Sequence, residues 1–190
     1  MAKEIIISNT DESELIERCR KGEQQAFAEI VRRYKGRVAS TVTGMLGRGD
    51  HAEDIGQEVF IRLFNAVDSF RGDSSLGTYI TRIAINLSLN EIRRRKLRSL
   101  LSFESLKEDG VEIEDKGSGE MLNENKEIVQ KAIQKLSAKY RSVVVLRLID
   151  DYSTEETAKI LNLPLGTVLS RLARAQIKLK EYLEPFISEI

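Results

Sequence analysis

The sequence predicts an all-α protein: two small helical domains joined by a flexible acidic linker. Three observations carry this expectation. The 190 residues are 41% hydrophobic and include only two prolines, so one core or two small ones can be filled with little to interrupt helices. Apolar residues recur at spacings of three and four over most of the chain. From residue 99 to residue 127 that periodicity fades, and acids accumulate around Gly117-Ser118-Gly119. The expected units are 11–98, 99–127 and 128–190, with two small cores fitting better than one.

Each helix has its own signals. Asp11 with Glu14 three residues on offers a capping pair, and Leu15, Ile16 and Cys19 line one face before Gly22. Phe27, Ile30, Val31, Tyr34, Val38, Val42 and Met45 mark a second helix, which Gly47-Arg48-Gly49-Asp50 ends. A third begins near Ala52, with Ala52, Ile55, Val59 and Leu63 inward beside Phe60 and Val67. Glu53, Asp54, Gln57, Glu58 and Arg62 are left outside. A turn at Phe70 to Ser75 leads into a fourth helix, whose buried stripe is Ile80, Ile83, Ala84 and Leu87 and whose opposite stripe is Tyr79, Arg82, Asn86, Asn90 and Arg93.

In the last unit, Ile128, Val129, Ile133 and Leu136 define one helix, and Val143, Val144, Leu146 and Leu148 the next. Ser153-Thr154-Glu155-Glu156 forms a capping box. A helix with Ala158 and Ile160-Leu161, a turn at Asn162-Leu163-Pro164 and a long helix with Val168, Leu172, Ala175 and Leu179 inward make a helix-turn-helix. Ala158 permits a close crossing, Asn162 tolerates the left-handed conformation, and Val168 plugs the core.

Thirty basic and thirty acidic residues leave no net charge, yet the charge is segregated. Nine acids face three lysines from Glu104 to Glu127, whereas Arg93 to Arg98 and Arg171 to Lys180 contain no acid. Local basic patches therefore survive a neutral sum. One cysteine excludes an internal disulfide, and no apolar run approaches the roughly eighteen residues that span a bilayer. Ile5-Ile6-Ile7 is too short for a signal-peptide core. The expected setting is a reducing cytoplasm, without membrane insertion.

Asp54 and Glu58, one turn apart, could share a cation, but no third carboxylate or histidine completes a coordination sphere, and no cofactor or catalytic residue is expected. A docking face for a protein explains both the acidic cluster and Gln57. On the fourth helix, amides suit base edges and guanidiniums suit phosphates. Tyr79 is the exception, because it can also pack inward beside Ile83. Arg93, Arg94 and Arg95 extend that stripe toward a nucleic-acid backbone. On the last helix, Thr167, Ser170, Arg171, Arg174 and Lys178 face away from the core, as major-groove insertion requires.

From about Asp11 to Leu183 the chain resembles the extracytoplasmic-function sigma factors, group IV of the sigma-70 family. The resemblance rests on the block Ala52-Glu53-Asp54 to Phe60, the loop Phe70 to Ser75 with the helix after it, and Leu163-Pro164-Leu165-Gly166-Thr167-Val168 with Ser170-Arg171-Leu172. It implies a transcription initiation subunit without chemistry of its own, with sigma region 2 at 11–98 and sigma region 4 at 128–190. By resemblance, Asp54, Gln57, Glu58 and Arg62 dock on the clamp helices of core RNA polymerase. Tyr79, Arg82, Asn86, Asn90 and Arg93 to Arg95 meet the single-stranded minus-ten element. Thr167, Ser170, Arg171, Arg174 and Lys178 read the minus-thirty-five element while region 4 docks on the flap.

The family picture threads the linker near the active-site cleft, where its acids mimic nucleic acid; composition alone fits an inert tether equally. Many relatives are held by an anti-sigma factor, which would keep a cytoplasmic chain at the membrane. Three departures stand out. The tryptophan pair by which housekeeping members wedge the duplex is replaced by Arg82 and Ile83, Leu169 stands where a basic residue is usual and Ala173 where a larger polar or aromatic one is common, and Ser137-Ala138 replaces a proline-containing entry. A one-component regulator is the main rival function, yet residues 11–98 carry no ligand-pocket composition or heptad seam. A metal-dependent nuclease lacks its metal site.

Overall fold

The computed structural model of the chain describes residues 11–102 and 121–187. Helices α1 (Glu12–Arg20), α2 (Gln24–Leu46), α3 (Asp50–Ala66) and α4 (Leu76–Ser102) form the first segment, with a 3₁₀ turn at Val67–Ser69. The second holds α5 (Met121–Lys135), α6 (Ala138–Val144), a π-turn at Val145–Ile149, α7 (Thr154–Leu161) and α8 (Leu165–Ile187). There is no strand among the described residues.

Most of the expected apolar faces are the buried ones; Val129 and Leu148, expected inward, are instead exposed at 45 and 49%. Leu15, Ile16 and Cys19 of α1, Ile30, Tyr34, Val38, Val42 and Met45 of α2, and Ala52, Val59 and Leu63 of α3 are all buried. Asp11 precedes α1, but its carboxylate accepts from the Ser13 hydroxyl and makes no cap to the helix. The capping box does form at α7: Ser153 Oγ accepts from Glu156 N, and Glu156 accepts from Ser153 N. Asn162 ends α7 in the left-handed conformation at φ 51°, and Val168 and Ala175 of α8 are buried behind it.

Helix α4 departs from the simple amphipathic pattern. It packs on α2 and α3 and also on α6 and α7. Ile80, Ala84 and Leu87 are buried as the periodicity requires, and so are Thr81, Ile85 and Ser88 along a second line. Helix α4 also continues to Ser102, and α5 starts at Met121, so both helices reach into the expected linker. A helix once nucleated by packing propagates cheaply through residues of good propensity such as Glu and Lys. The rest of that linker, 103–120, lies outside the described residues.

The two segments share one apolar cluster, in which Val144, Val145, Leu146, Tyr152 and Ile160 join Val42, Met45 and Ile80. Merging two small cores removes further apolar surface from water, which matters most for segments this short. At the closest approach a Cβ on Gly44 of α2 would lie 2.9 Å from Val145 Cγ2, so only glycine admits this contact.

Polar bonds surround the apolar contact. Gln130 and Gln134 donate to the carbonyls of Thr43 and Gly44 at 2.8 and 2.9 Å, and Arg141 Nη1 donates to that of Met45 at 2.6 Å. All three carbonyls lie in the last turn of α2, where the helix dipole is negative, and that of Thr43 also accepts from Gly47 N at 2.9 Å. Arg141 also donates to the carbonyls of Gln134 and Leu136 at the end of α5. Two helix ends thus stand in for a carboxylate. Burial, and secondarily the charge of Arg95, lowers the Arg141 guanidinium to about 10.

Candidate protein and nucleic-acid interfaces

On α3, Asp54 and Gln57 are exposed and Glu58 is half-buried. Arg62 Nε lies 2.9 Å from Glu58 Oε1, so these two expected docking residues are partners of each other at i, i+4. The same helix exposes two large apolar side chains that the sequence reading passed over, Ile61 at 55% and Phe64 at 56%. Phe64 stacks edge-on against Phe27 with ring centroids 5.1 Å apart. Gln57, Ile61 and Phe64 follow one another at helical spacing, giving a face with an acidic end and an apolar end. The omission from the inward set was the available signal: both are apolar residues that the 3.6 period turns outward.

On α4, Gly72 at φ 77° shapes the preceding turn, and Ser75 Oγ accepts from Thr78 N at 3.1 Å to start the helix. Asn86, Asn90, Arg93 and Arg94 are exposed. Tyr79 takes the inward alternative. It is half-buried, with its ring centroid 5.0 Å from that of Phe70. Arg82 reaches the second segment, where Nη2 donates to the Lys159 carbonyl at 3.1 Å. Asn90 Oδ1 accepts from Arg93 Nη1 at 3.1 Å.

Glu91, buried at 5% exposure, pairs with Arg94, Arg95 and Arg98 at 2.8, 3.0 and 3.3 Å. Burial alone would raise its carboxyl. Hydrogen bonds from Arg95 and Arg94, together with their charges, outweigh burial and hold it below the ordinary carboxylate value. One carboxylate therefore organises the basic end of α4, where Arg93, Arg94, Arg95, Lys96 and Arg98 leave a strong positive excess.

On α8, Ser170 and Arg174 are exposed, while Thr167, Arg171 and Lys178 are half-buried. Hydrogen bonding from Arg174 pulls the Tyr140 phenol of α6 below its ordinary pKa, with the charges of Lys139, Arg174 and Lys178 adding to the effect. Leu165, Leu169 and Ile177 are exposed at 44, 49 and 61%, an apolar line at steps of four and eight residues beside the cations.

Two family models match the chain, Sigma-70 region 2 over residues 30–98 and Sigma-70, region 4 over residues 126–179. The ECF RNA polymerase sigma factor SigW of Bacillus subtilis (strain 168) is 37% identical over 179 residues, covering 88% of this chain and 94% of the relative. The chain belongs to the extracytoplasmic-function RNA polymerase sigma factors. The ECF RNA polymerase sigma-E factor of Escherichia coli (strain K12) is likewise 37% identical, over 91% of this chain and 94% of that one. Among solved structures, the sigma factor RpoE in complex with the anti-sigma factor NepR from Bartonella quintana aligns with TM-score 0.67 at 25% identity, over 83% of this chain and 96% of that one. CnrH in complex with the cytosolic domain of CnrY aligns with TM-score 0.64 at 24% identity, over 90% and 96%, and shares the fold.

As a sigma factor the chain is an initiation subunit and not an enzyme. It binds core RNA polymerase and recognises promoter DNA through regions 2 and 4. Among the described residues of this sigma factor, no helix is long and apolar enough to cross a membrane.

Proposed function

We propose that this sigma factor divides its work among three helices. Helix α3 docks on the polymerase clamp through Asp54, Gln57 and Glu58, with Arg62 holding Glu58, and Ile61 and Phe64 add the apolar part of that contact. Helix α4 engages the minus-ten strand: Asn86 and Asn90 meet bases, and Arg93, Arg94 and Arg95 meet phosphates. Arg82 joins them when it is not occupied by Lys159, and Tyr79 acts by bracing the loop through Phe70. Helix α8 reads the minus-thirty-five element with Thr167, Ser170, Arg171, Arg174 and Lys178.

The observation that supports this best is the exposed Asn86, one turn ahead of Asn90 and a basic helix end in which one buried carboxylate orders three arginines. The likeness to a sigma factor solved with its anti-sigma factor extends the proposal to such a partner, which would keep a cytoplasmic chain at the membrane if itself anchored there. The domain limits 11–98, 99–127 and 128–190 belong to the same proposal. Purified chain added to core polymerase should yield transcripts from discrete start sites on genomic DNA. Transcription no different from core alone would overturn it.

A further inference from the structure

Glu91 is out of place in a helix end that meets phosphates. It removes one positive charge from a run that otherwise reads Arg93, Arg94, Arg95, Lys96 and Arg98, and a carboxylate repels phosphate within the ~10 Å screening length. Its carboxylate is also buried, at 5% exposure, which is costly unless the charge is paired. A patch that only attracted phosphate would be stronger without it.

The contacts show what the carboxylate does instead. Arg94 and Arg95 follow Glu91 by three and four residues and Arg98 by two turns, so the three side chains converge on it from one side of α4. Arg94 and Arg95 are both bonded through Nε, at 2.8 and 3.0 Å, each to a different oxygen. A guanidinium carries five donors in a rigid fork, so one held at Nε keeps the edge between its terminal nitrogens for a second oxyanion. The Arg94 side chain stays open to solvent at 64% and that of Arg95 at 39%. The carboxylate thus takes the inner edges and leaves the outer ones. Arg93 is held separately, by Asn90 Oδ1 at 3.1 Å.

Phosphate contacts fix where a strand lies, and base contacts then read it. Asn86 precedes Arg94 by eight residues, about 12 Å along the helix axis at ~1.5 Å per residue, so one strand meets both. Arginines ordered in advance lose less side-chain freedom on binding than loose ones. They also hold the strand in one place.

We propose that Glu91 is a positioning residue for the minus-ten strand: it holds Arg94 and Arg95 in the orientation that receives backbone phosphates, and so sets the register in which Asn86 meets its base. The inference rests on the promoter reading of α4 given above. Its sign is opposite to that of charge alone, since removal of a negative charge from the patch weakens DNA binding.

The test uses holoenzyme reconstituted from the full chain and core polymerase. Its ligands are a forked duplex that carries a mapped minus-ten element as single strand, and the same fork altered at the base whose preference depends on Asn86. Glu91→Gln keeps the volume and removes the charge. It should weaken the matched fork about fivefold or more, because two arginines must then be ordered on binding, and lower discrimination between the forks about threefold. In an Arg94→Ala, Arg95→Ala background the same substitution should change neither. Glu91→Asp keeps the charge but shortens the reach, and should weaken the matched fork about twofold; if Glu91→Gln loses its helical spectrum, an unweakened Glu91→Asp overturns the proposal. Equal or tighter binding of the matched fork by a folded Glu91→Gln would overturn it in favour of charge screening. An equal loss in both backgrounds, or on both forks, would overturn it by making Glu91 a support of the fold. Wild-type behaviour of both Asn86→Ala and the double arginine variant would instead strike the promoter reading of α4, and this inference with it.

Discussion

The Tyr152 and Thr81 hydroxyls meet at 2.7 Å, tying the turn before α7 to the buried line of α4. Both residues are almost inaccessible, at 6 and 1%, and this is the shortest of the Tyr152 hydroxyl's contacts, beside the Gly77 carbonyl at 3.4 Å and Arg37 Nη1 at 3.5 Å. Removing either alone should destabilise the chain by about 1–2 kcal/mol, whereas removing both should cost little more than one, because an unmatched buried hydroxyl is the larger penalty. Urea denaturation of Tyr152→Phe, Thr81→Val and the pair measures this. Additive losses would show that the two do not interact.

Arg141 should be the most sensitive charged residue of the interface. Arg141→Met keeps much of the volume but strips donors from the carbonyls of Met45, Gln134 and Leu136, and a loss of about 3 kcal/mol or more is expected. Arg141→Lys should recover only part of it, since one ammonium cannot span the ends of two helices. Equal stability of the lysine variant and the wild type would contradict this geometry.

Glu29 carries an acid-dependent share of stability. Bidentate hydrogen bonds from Arg32 at 2.7 Å, supported by Arg33, outweigh its burial and lower the carboxyl from 4.5 to about 2. The folded pKa lies below the unfolded one, so the contribution is fully present above pH 4.5 and is lost as pH falls toward about 2. Stability curves of the wild type and Glu29→Gln should differ above that window and converge beneath it. A Glu29 carboxyl that titrates near 4.5 by carbon-detected NMR would be incompatible with the pairing.

Core binding should depend on both halves of the α3 face. Charge reversal at Asp54 and Glu58 is expected to abolish it, and Ile61→Ser with Phe64→Ser to weaken it roughly tenfold or more, as for buried apolar anchors elsewhere. Competition binding with the wild-type chain reads both, with circular dichroism to confirm folding. Full affinity in the apolar pair would confine docking to the acidic end.

Base selection is expected to separate from backbone affinity. Asn86→Ala should relax preference at one minus-ten position by about 1–3 kcal/mol, whereas Arg94→Ala should weaken all sequences alike and flatten the salt slope by about 0.7–0.9. Arg171→Ala should reduce minus-thirty-five protection, and Arg174→Ala should do so while also returning the Tyr140 phenol toward its ordinary titration. An unaltered base profile in Asn86→Ala would make that residue only a surface amide.

Local patterns along the chain determined the helices, the capping box at Ser153 and Glu156, the left-handed Asn162, and the family through motifs contiguous in sequence. Such features were legible because they depend on neighbours three or four residues away. Tertiary structure alone decided the rest. Periodicity assigns one inward face to each helix, so it could not foresee that α4 buries Thr81, Ile85 and Ser88 on a second side, or that Arg82 ends on the Lys159 carbonyl. Glu91 had no place in the sequence reading; its burial makes it the organiser of the arginine run. The π-turn leaves no local signature, since an extra residue in a turn is stabilised by what its side chains reach, and Asp150 and Tyr152 reach partners 110 and 71 residues away. Short-range chemistry sufficed for the helices and the family, whereas the closure of one segment on the other depends on long-range burial that no local spacing encodes.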